Sequence, residues 1–179
     1  MNLSFLFVLW FWVAIPDPLD RPANWEGTKE ESYIKFNIRN LGLNVEGIFN
    51  SFTTSVEYDK SHPTKSRFSA KIEVSSLSTG INKRDNHLKQ EEYFHLEKYP
   101  TITFQSTDVS APNAGQLLVK GNITIKGTTQ PIELKVAVKE SGGKTQFSIV
   151  GQLDRKDFGV GGNSWVMSDE VILKLYIEN

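Results

Sequence analysis

The chain contains no cysteine. Disulfides, thiolate metal sites, a cysteine nucleophile and a cysteine-linked lipid anchor are therefore excluded. Histidine is scarce as well, with only His62, His87 and His95 among 179 residues. A zinc centre wants three or four ligands at tight spacing, such as two histidines one helical turn apart. The eight-residue step from His87 to His95 does not supply that spacing. No metal and no other cofactor is expected. Neither sign of charge is in excess, with 20 Lys+Arg against 21 Asp+Glu. That balance argues against nucleic acid as the partner, which would call for a basic face. Catalytic signatures are missing too: there is no Gly-x-Ser-x-Gly elbow, no Walker-type loop and no dinucleotide fingerprint opening a helix. "GVGGNS" (159–164) is glycine-rich but has no following helix to cradle a phosphate, and it reads as a flexible turn. Glu91 and Glu92 are adjacent, so on a helix they diverge and form no acid–base pair.

Long apolar runs are absent except for one, from Leu3 to Ile15, broken only by Ser4. It is short for a membrane span and fits the core of a secretory leader. Residues 1–23 are therefore expected to be a signal or export segment with a Pro-rich linker, followed by a single domain over 24–179. That organisation implies a periplasmic or secreted protein without obligatory membrane insertion, either a monomer or a homodimer.

What the chain has in abundance is alternation with a period of two. In "YIKFNIR" Ile34, Phe36 and Ile38 share one face, and in "FSAKIEV" Phe68, Ala70, Ile72 and Val74 do the same. Ile102 and Phe104 follow in "TITFQST", and Ile132, Leu134, Val136 and Val138 in "PIELKVAVK". Val171, Leu173, Leu175 and Ile177 close the chain in the same way. Further strands are expected over 43–49, 52–58, 116–125 and 145–153, the last two carrying Ile123, Phe147 and Ile149 on their apolar faces. Strands with one apolar and one wet face fit antiparallel pairing. Two all-β architectures accept such strands, a two-sheet sandwich and a closed barrel, and a barrel of about eight strands would enclose an apolar lumen. Ten residues are predicted to line that lumen: Phe36, Phe68, Ile72, Phe104, Ile123, Leu134, Val136, Phe147, Ile149 and Leu173.

One stretch breaks the pattern. "NKRDNHLKQEEYF" has no alternation and is rich in helix formers, so a short helical insertion is expected near 82–99, with Asn82 capping a helix that runs through Leu88–Gln90. Pro100 forces Tyr99 into an extended conformation and starts the next strand. Arg84, Asp85 and His87, with Tyr93, Phe94 and Tyr99, are predicted to sit at the barrel mouth. Arg84–Asp85 has two readings: a charge-assisted pair that pins the insertion to the rim, or a contact for a polar head group. Arg155 and Asp157 carry the same ambiguity, tilted further toward structure.

Four stretches together resemble the YceI family: "SYIKFNIRNLGLNVEGIF", "SLSTGINKRDNHLKQEEYFHLEKYPTITFQST", "VKGNITIKGTTQPIEL" and "LDRKDFGV". The second carries the densest match, Ser-x-x-Thr-Gly, then Arg-Asp-x-His-Leu, then Tyr-Pro-x-x-x-Phe-x-Ser. The chain departs from the family pattern at Glu31-Ser32, where His-Ser is usual, and at Tyr93-Phe94-His95, where Phe-Phe-Asp is usual. The resemblance decides for the barrel: it implies an all-β, antiparallel, eight-stranded, lipocalin-like fold whose lumen takes a long isoprenoid lipid, such as an isoprenoid quinone or a polyprenyl phosphate. The expected function is binding and carriage, or sequestration, of that lipid. The competing reading is an enzyme acting on a small apolar or isoprenoid substrate at the mouth, through Arg84, Asp85 and His87.

Overall fold

Each alternating run forms a strand, and the runs pair edge to edge because each must bury one apolar face. The computed structural model describes residues 32–179; the expected export segment and linker lie outside the described residues. The strands are β1 (Tyr33–Asn40), β2 (Leu43–Phe49), β3 (Phe52–Glu57), β4 (Arg67–Glu73), β5 (Leu77–Ser78), β6 (Thr101–Asn113), β7 (Gln116–Ile125), β8 (Thr128–Ser141), β9 (Lys144–Asp154) and β10 (Met167–Glu178). One helix, α1 (Asn82–Leu88), lies between β5 and β6.

All neighbours pair antiparallel, in the order β3-β4-β6-β7-β8-β9-β10-β1-β2-β5. The single sheet has ten strands and curls into an open half-barrel. This corrects the closed, eight-stranded expectation in two ways. β5 is only two residues long, too short to show alternation. The sheet is open between β2 and β3, which are consecutive in sequence but sit near opposite ends of the strand order and do not pair. The chain crosses that gap through Asn50 and Ser51 and does not hydrogen-bond across it as a ladder. The crossing is tied down locally: Asn50 N donates to Ser76 O at 3.3 Å and Glu73 N to Ser51 O at 3.0 Å.

The expected faces are the observed ones. Ile34, Phe68, Ile72, Ile102, Ile123, Leu134, Val136, Ile149 and Ile177 are buried in the concave core. Register matters here, since a one-residue slip would turn each strand inside out. Large inward rings need space opposite them, which glycine supplies. Phe36 pairs with Gly47 across β1–β2, and a Cβ at Gly47 would stand 2.2 Å from the Phe36 ring. Phe104 lies over Gly121 in the same way, at 2.5 Å.

At one end the concave face is plugged by rings. Phe147 is wholly buried, and its ring meets Tyr58 and Phe68 edge-on with centroids 5.5 and 5.9 Å apart. The β6–β7 and β8–β9 turns lie at this end. The opposite end carries the β1–β2 turn, the β7–β8 turn, the connector from β9 to β10, and the insertion 79–100. These pieces are laced by backbone bonds: Leu41 N donates to Val166 O at 2.8 Å and Gly161 N to Glu92 O at 2.9 Å.

The insertion is one short helix followed by turns, as expected. α1 stops at Leu88, and 89–99 is a chain of turns, with Leu96 N donating to Lys89 O and Tyr99 N to His95 O. Asn82 is not the cap but the first helical residue, and Ile81 precedes it without a side-chain cap bond.

Candidate functional site

The concave face encloses a cavity of about 630 Å³, within the range of small-molecule sites. Its wall is built mostly of inward side chains from the strands, completed by the insertion and by the 155–160 segment. Nine of the ten predicted lumen residues stand on it: Phe36, Phe68, Ile72, Phe104, Ile123, Leu134, Val136, Ile149 and Leu173. Phe147 does not; it lies below the cavity in the aromatic plug. β10 contributes more than Leu173, since Val171, Leu175 and Ile177 also face the cavity.

Of the predicted mouth residues, Arg84, His87, Tyr93 and Phe94 reach the cavity wall, and Asp85 and Tyr99 do not. Tyr99 instead packs on Gly127, where a Cβ would sit 2.6 Å from its ring, and meets the His95 ring at 5.7 Å. Tyr93 is held by the His87 ring at 5.0 Å on one side and by Gly161 on another. A Cβ at Gly161 would stand 2.8 Å from Tyr93, and Gly161 has a φ of 72°. Glycine is thus required there twice over.

Arg84 and Asp85 do not pair with each other; both grip Thr79. Arg84 Nε donates to Thr79 Oγ1 at 2.7 Å and Nη2 to the Thr79 carbonyl at 2.9 Å. Asp85 Oδ1 accepts from Thr79 N at 2.8 Å and from the Thr79 hydroxyl. Burial would raise the Asp85 carboxyl, but the Thr79 hydrogen bonds, with Arg84 and Lys89 nearby, outweigh it and hold the group below its usual value. The Thr-Gly and Arg-Asp pieces of the sequence pattern therefore form one clamp, closing the loop from β5 into α1. The spacing of Thr79 ahead of Arg84-Asp85 was the sequence signal for it. Arg84 also lines the cavity, and its Nη1 atom makes no hydrogen bond among the described residues.

The second predicted pair also resolves differently. Arg155 is 2% exposed and fully engaged: Nε to Ser168 O at 2.9 Å, Nη1 to Val160 O and Gly162 O at 2.8 Å each, and Nη2 to Asp169 Oδ1 at 2.8 Å. Its carboxylate partner is Asp169, not Asp157, which is exposed. Hydrogen bonding from Lys156, against a smaller burial effect, and the charges of Lys156 and Arg155 hold the Asp169 carboxyl below the usual range. The glycine-rich connector is accordingly a pinned turn rather than a free one.

Two further features of the mouth had no sequence signal. Asn40 lines the cavity, and its Oδ1 is buried without a hydrogen-bond partner among the described residues. Lys83 and Ile81, at the start of α1, also border the opening. His87 Nε2 lies 3.8 Å from Glu92 Oε2, too long for a hydrogen bond. Among the described residues no group of three or more His, Asp or Glu side chains could hold a metal ion.

The family model of the YceI-like domain matches residues 25–179. The chain belongs to the YceI family. A UPF0312 protein of Pseudomonas paraeruginosa is 31% identical over 156 residues, covering 83% of this chain and 81% of the relative. The crystal structure of BcnA from Burkholderia cenocepacia superposes with a TM-score of 0.80 at 24% identity, covering 83% of this chain and 96% of that one. A domain from Saccharophagus degradans, described as polyisoprenoid-binding and implicated in plant cell wall breakdown, superposes with a TM-score of 0.63 at 13% identity, covering 82% and 92%. At those identities the two structures establish the YceI fold and nothing finer.

Proposed function

We propose that this YceI-family protein binds a long-chain isoprenoid lipid in its cavity and carries or sequesters it. The observation that carries the reading is the cavity itself, about 630 Å³ and walled from plug to mouth by aliphatic and aromatic side chains. Removing a long apolar chain from water into such a wall is favourable in proportion to the area covered. The Saccharophagus domain, with the same fold and described as polyisoprenoid-binding, supports this ligand class. A polar head group, quinone or phosphate, is left at the mouth beside Arg84, His87 and Tyr93, where the Arg84 guanidinium is the donor for its oxygens.

The competing enzyme reading asks Asp85 or His87 to act as a base. Asp85 is engaged by Thr79 and held in its charged form, and His87 has no orienting hydrogen bond among the described residues. A poised base wants a pKa near the working pH and a fixed geometry, so the carrier reading is preferred. Export to the periplasm or the medium is part of the proposal, supported by the apolar run Leu3–Ile15, and cell fractionation tests it. For the ligand, the test is organic extraction of the purified protein followed by mass spectrometry, then uptake of isoprenoid quinone by lipid-free protein. Recovery of an isoprenoid lipid, or saturable uptake, is expected. A preparation that carries none and takes up none overturns the reading.

A further inference from the structure

Exposed apolar side chains are concentrated at one place. Six large hydrophobic residues stand exposed among the described residues: Leu41, Leu43, Ile81, Val150, Trp165 and Val166. All but Val150 belong to the cavity rim. Leu41 and Leu43 flank the β1–β2 turn, Trp165 and Val166 end the connector before β10, and Ile81 leads into α1. Leu41 N bonds to Val166 O at 2.8 Å, and Asn40 pairs with Met167, so the first two pieces form one surface. Ile81, Asn40 and Met167 are also part of the cavity wall, which joins that surface to the opening. Trp165 is fully exposed, at 103%. Burying none of this large ring on the protein is unusual for an isolated soluble surface.

The charge of the rim is one-sided, although the chain as a whole is balanced. The segments 39–45, 79–84 and 159–167 contain Arg39, Lys83 and Arg84 and no acidic residue. Of the carboxylates flanking these segments, Asp85 is engaged by Thr79, Asp169 by Arg155 and Lys156, and Glu46 by Lys35 at 3.3 Å, while Asp157 and Glu92 are exposed; the charged side chains that line the cavity itself, Lys35, Lys83, Arg84 and Arg155, are all cationic. Arg39 and Lys83 form no ion pair among the described residues, so their charge is uncompensated.

We propose that this rim is a docking surface for an anionic lipid bilayer. Trp165, Leu41, Leu43, Ile81 and Val166 enter the interfacial layer, and Arg39 and Lys83 face the anionic head groups. Tryptophan and leucine backed by cations are the residue types that seat a peripheral protein in that layer. The geometry turns the cavity opening toward the bilayer, so an apolar ligand passes between lipid and protein without its chain crossing water. The purpose of docking rests on the carrier reading, but its measurement does not.

The lack of cysteine makes a direct test possible in the full chain. A single thiol introduced by Asn163→Cys, beside Trp165, or by Ala114→Cys, in the β6–β7 turn at the plugged end, takes one environment-sensitive dye. Lipid-free labelled protein is mixed with phosphatidylcholine vesicles containing a minority of phosphatidylglycerol and a doxyl-labelled lipid quencher. The dye at position 163 is expected to be quenched, and the dye at 114 is not. Quenching is expected to fall when phosphatidylglycerol is left out or salt is raised. The triple substitution Leu41→Ser, Leu43→Ser and Trp165→Ser is expected to weaken vesicle partitioning by at least about tenfold, with the melting temperature unchanged because these side chains are exposed. Equal quenching at both positions, quenching at neither, or full retention by the triple variant overturns the proposal. So does a concentration-dependent dimer joined through this rim, which would make a second copy its occupant, with the free edge of β2 as the pairing strand. Because the labelled protein is lipid-free, docking without lipid uptake would overturn only the carrier reading, and uptake without docking only this one.

Discussion

The two ends of the half-barrel solve opposite problems. The plugged end is closed by packing: Tyr58, Phe147 and Phe68 meet edge-on, and the turns outside them carry exposed ion pairs, Lys60–Glu140 at 2.7 Å and Lys144–Glu178. The open end is held by polar clamps, one of Arg155 on three backbone carbonyls and Asp169, the other of Arg84 and Asp85 on Thr79. Outside those clamps it shows water its apolar side chains and unpaired cations. Directional bonds hold irregular loops in place without filling the space between them, whereas close-packed rings leave no opening. An open cavity needs the first arrangement at its mouth and the second at its floor.

Substitutions at the two ends should therefore differ in kind. The largest effect is expected at the floor. Phe147→Ala removes a wholly buried ring, and loss of about 3–5 kcal/mol is expected in denaturant unfolding, together with a cavity that now reaches the β8–β9 end. At the mouth, Arg155→Leu leaves the carbonyls of Val160, Gly162 and Ser168 without their donor. A loss of about 3 kcal/mol is expected, with faster amide exchange in 159–168 before the strands open. Thr79→Val removes the hydroxyl that bonds both the buried Asp85 carboxylate and Arg84 Nε, leaving only backbone partners, and is expected to cost about 1–3 kcal/mol, concentrated in α1.

The Asp85 clamp also has a pH signature. Its carboxyl is lowered in the folded state, so the stability it contributes is present above the ordinary aspartate value, about 3.9. That stability is lost as pH falls through the lower folded-state value. Acid unfolding of the native chain should thus steepen below about pH 4, and Asp85→Asn should flatten that limb, as followed by circular dichroism. The smallest effect is expected at the exposed pairs of the plugged end. Lys60→Ala and Lys144→Ala should leave the melting temperature unchanged, since such pairs hold two mobile side chains in high dielectric. A clear drop there would show that the plugged end relies on its charges as well as its rings.

Most of the cavity wall was legible in the sequence, because alternation reports a side chain's face directly. Leu134, Val136 and Leu173 fell on the inner face for that reason. Alternation cannot report depth along the barrel, so Phe147, on the same face as Ile149, was not distinguishable as plug rather than lining. It also cannot show whether a curled sheet closes: that depends on the Asn50–Ser51 crossing and on β5, two residues long. Partnerships across the fold were hidden too. Asp169 lies 14 residues beyond Arg155, and nothing local marks it as the partner ahead of Asp157. The exposure of Leu41, Leu43 and Trp165 was equally hidden, since an apolar residue beside a glycine turn reads the same whether buried or wet.

The central claim is that the inner face bounds a space filled by ligand rather than by the protein itself. Leu134→Trp, with Lys135→Trp as its outward-facing neighbour control, tests it most directly. Both variants are purified, extracted and analysed for bound lipid by mass spectrometry, and their ligand-free forms are melted. The expected result is that Leu134→Trp loses the lipid and keeps the melting temperature of the ligand-free parent, while Lys135→Trp keeps both. Overpacking a filled core would instead cost about 1–3 kcal/mol. A lowered melting temperature for ligand-free Leu134→Trp, or lipid still bound to it, would contradict the account.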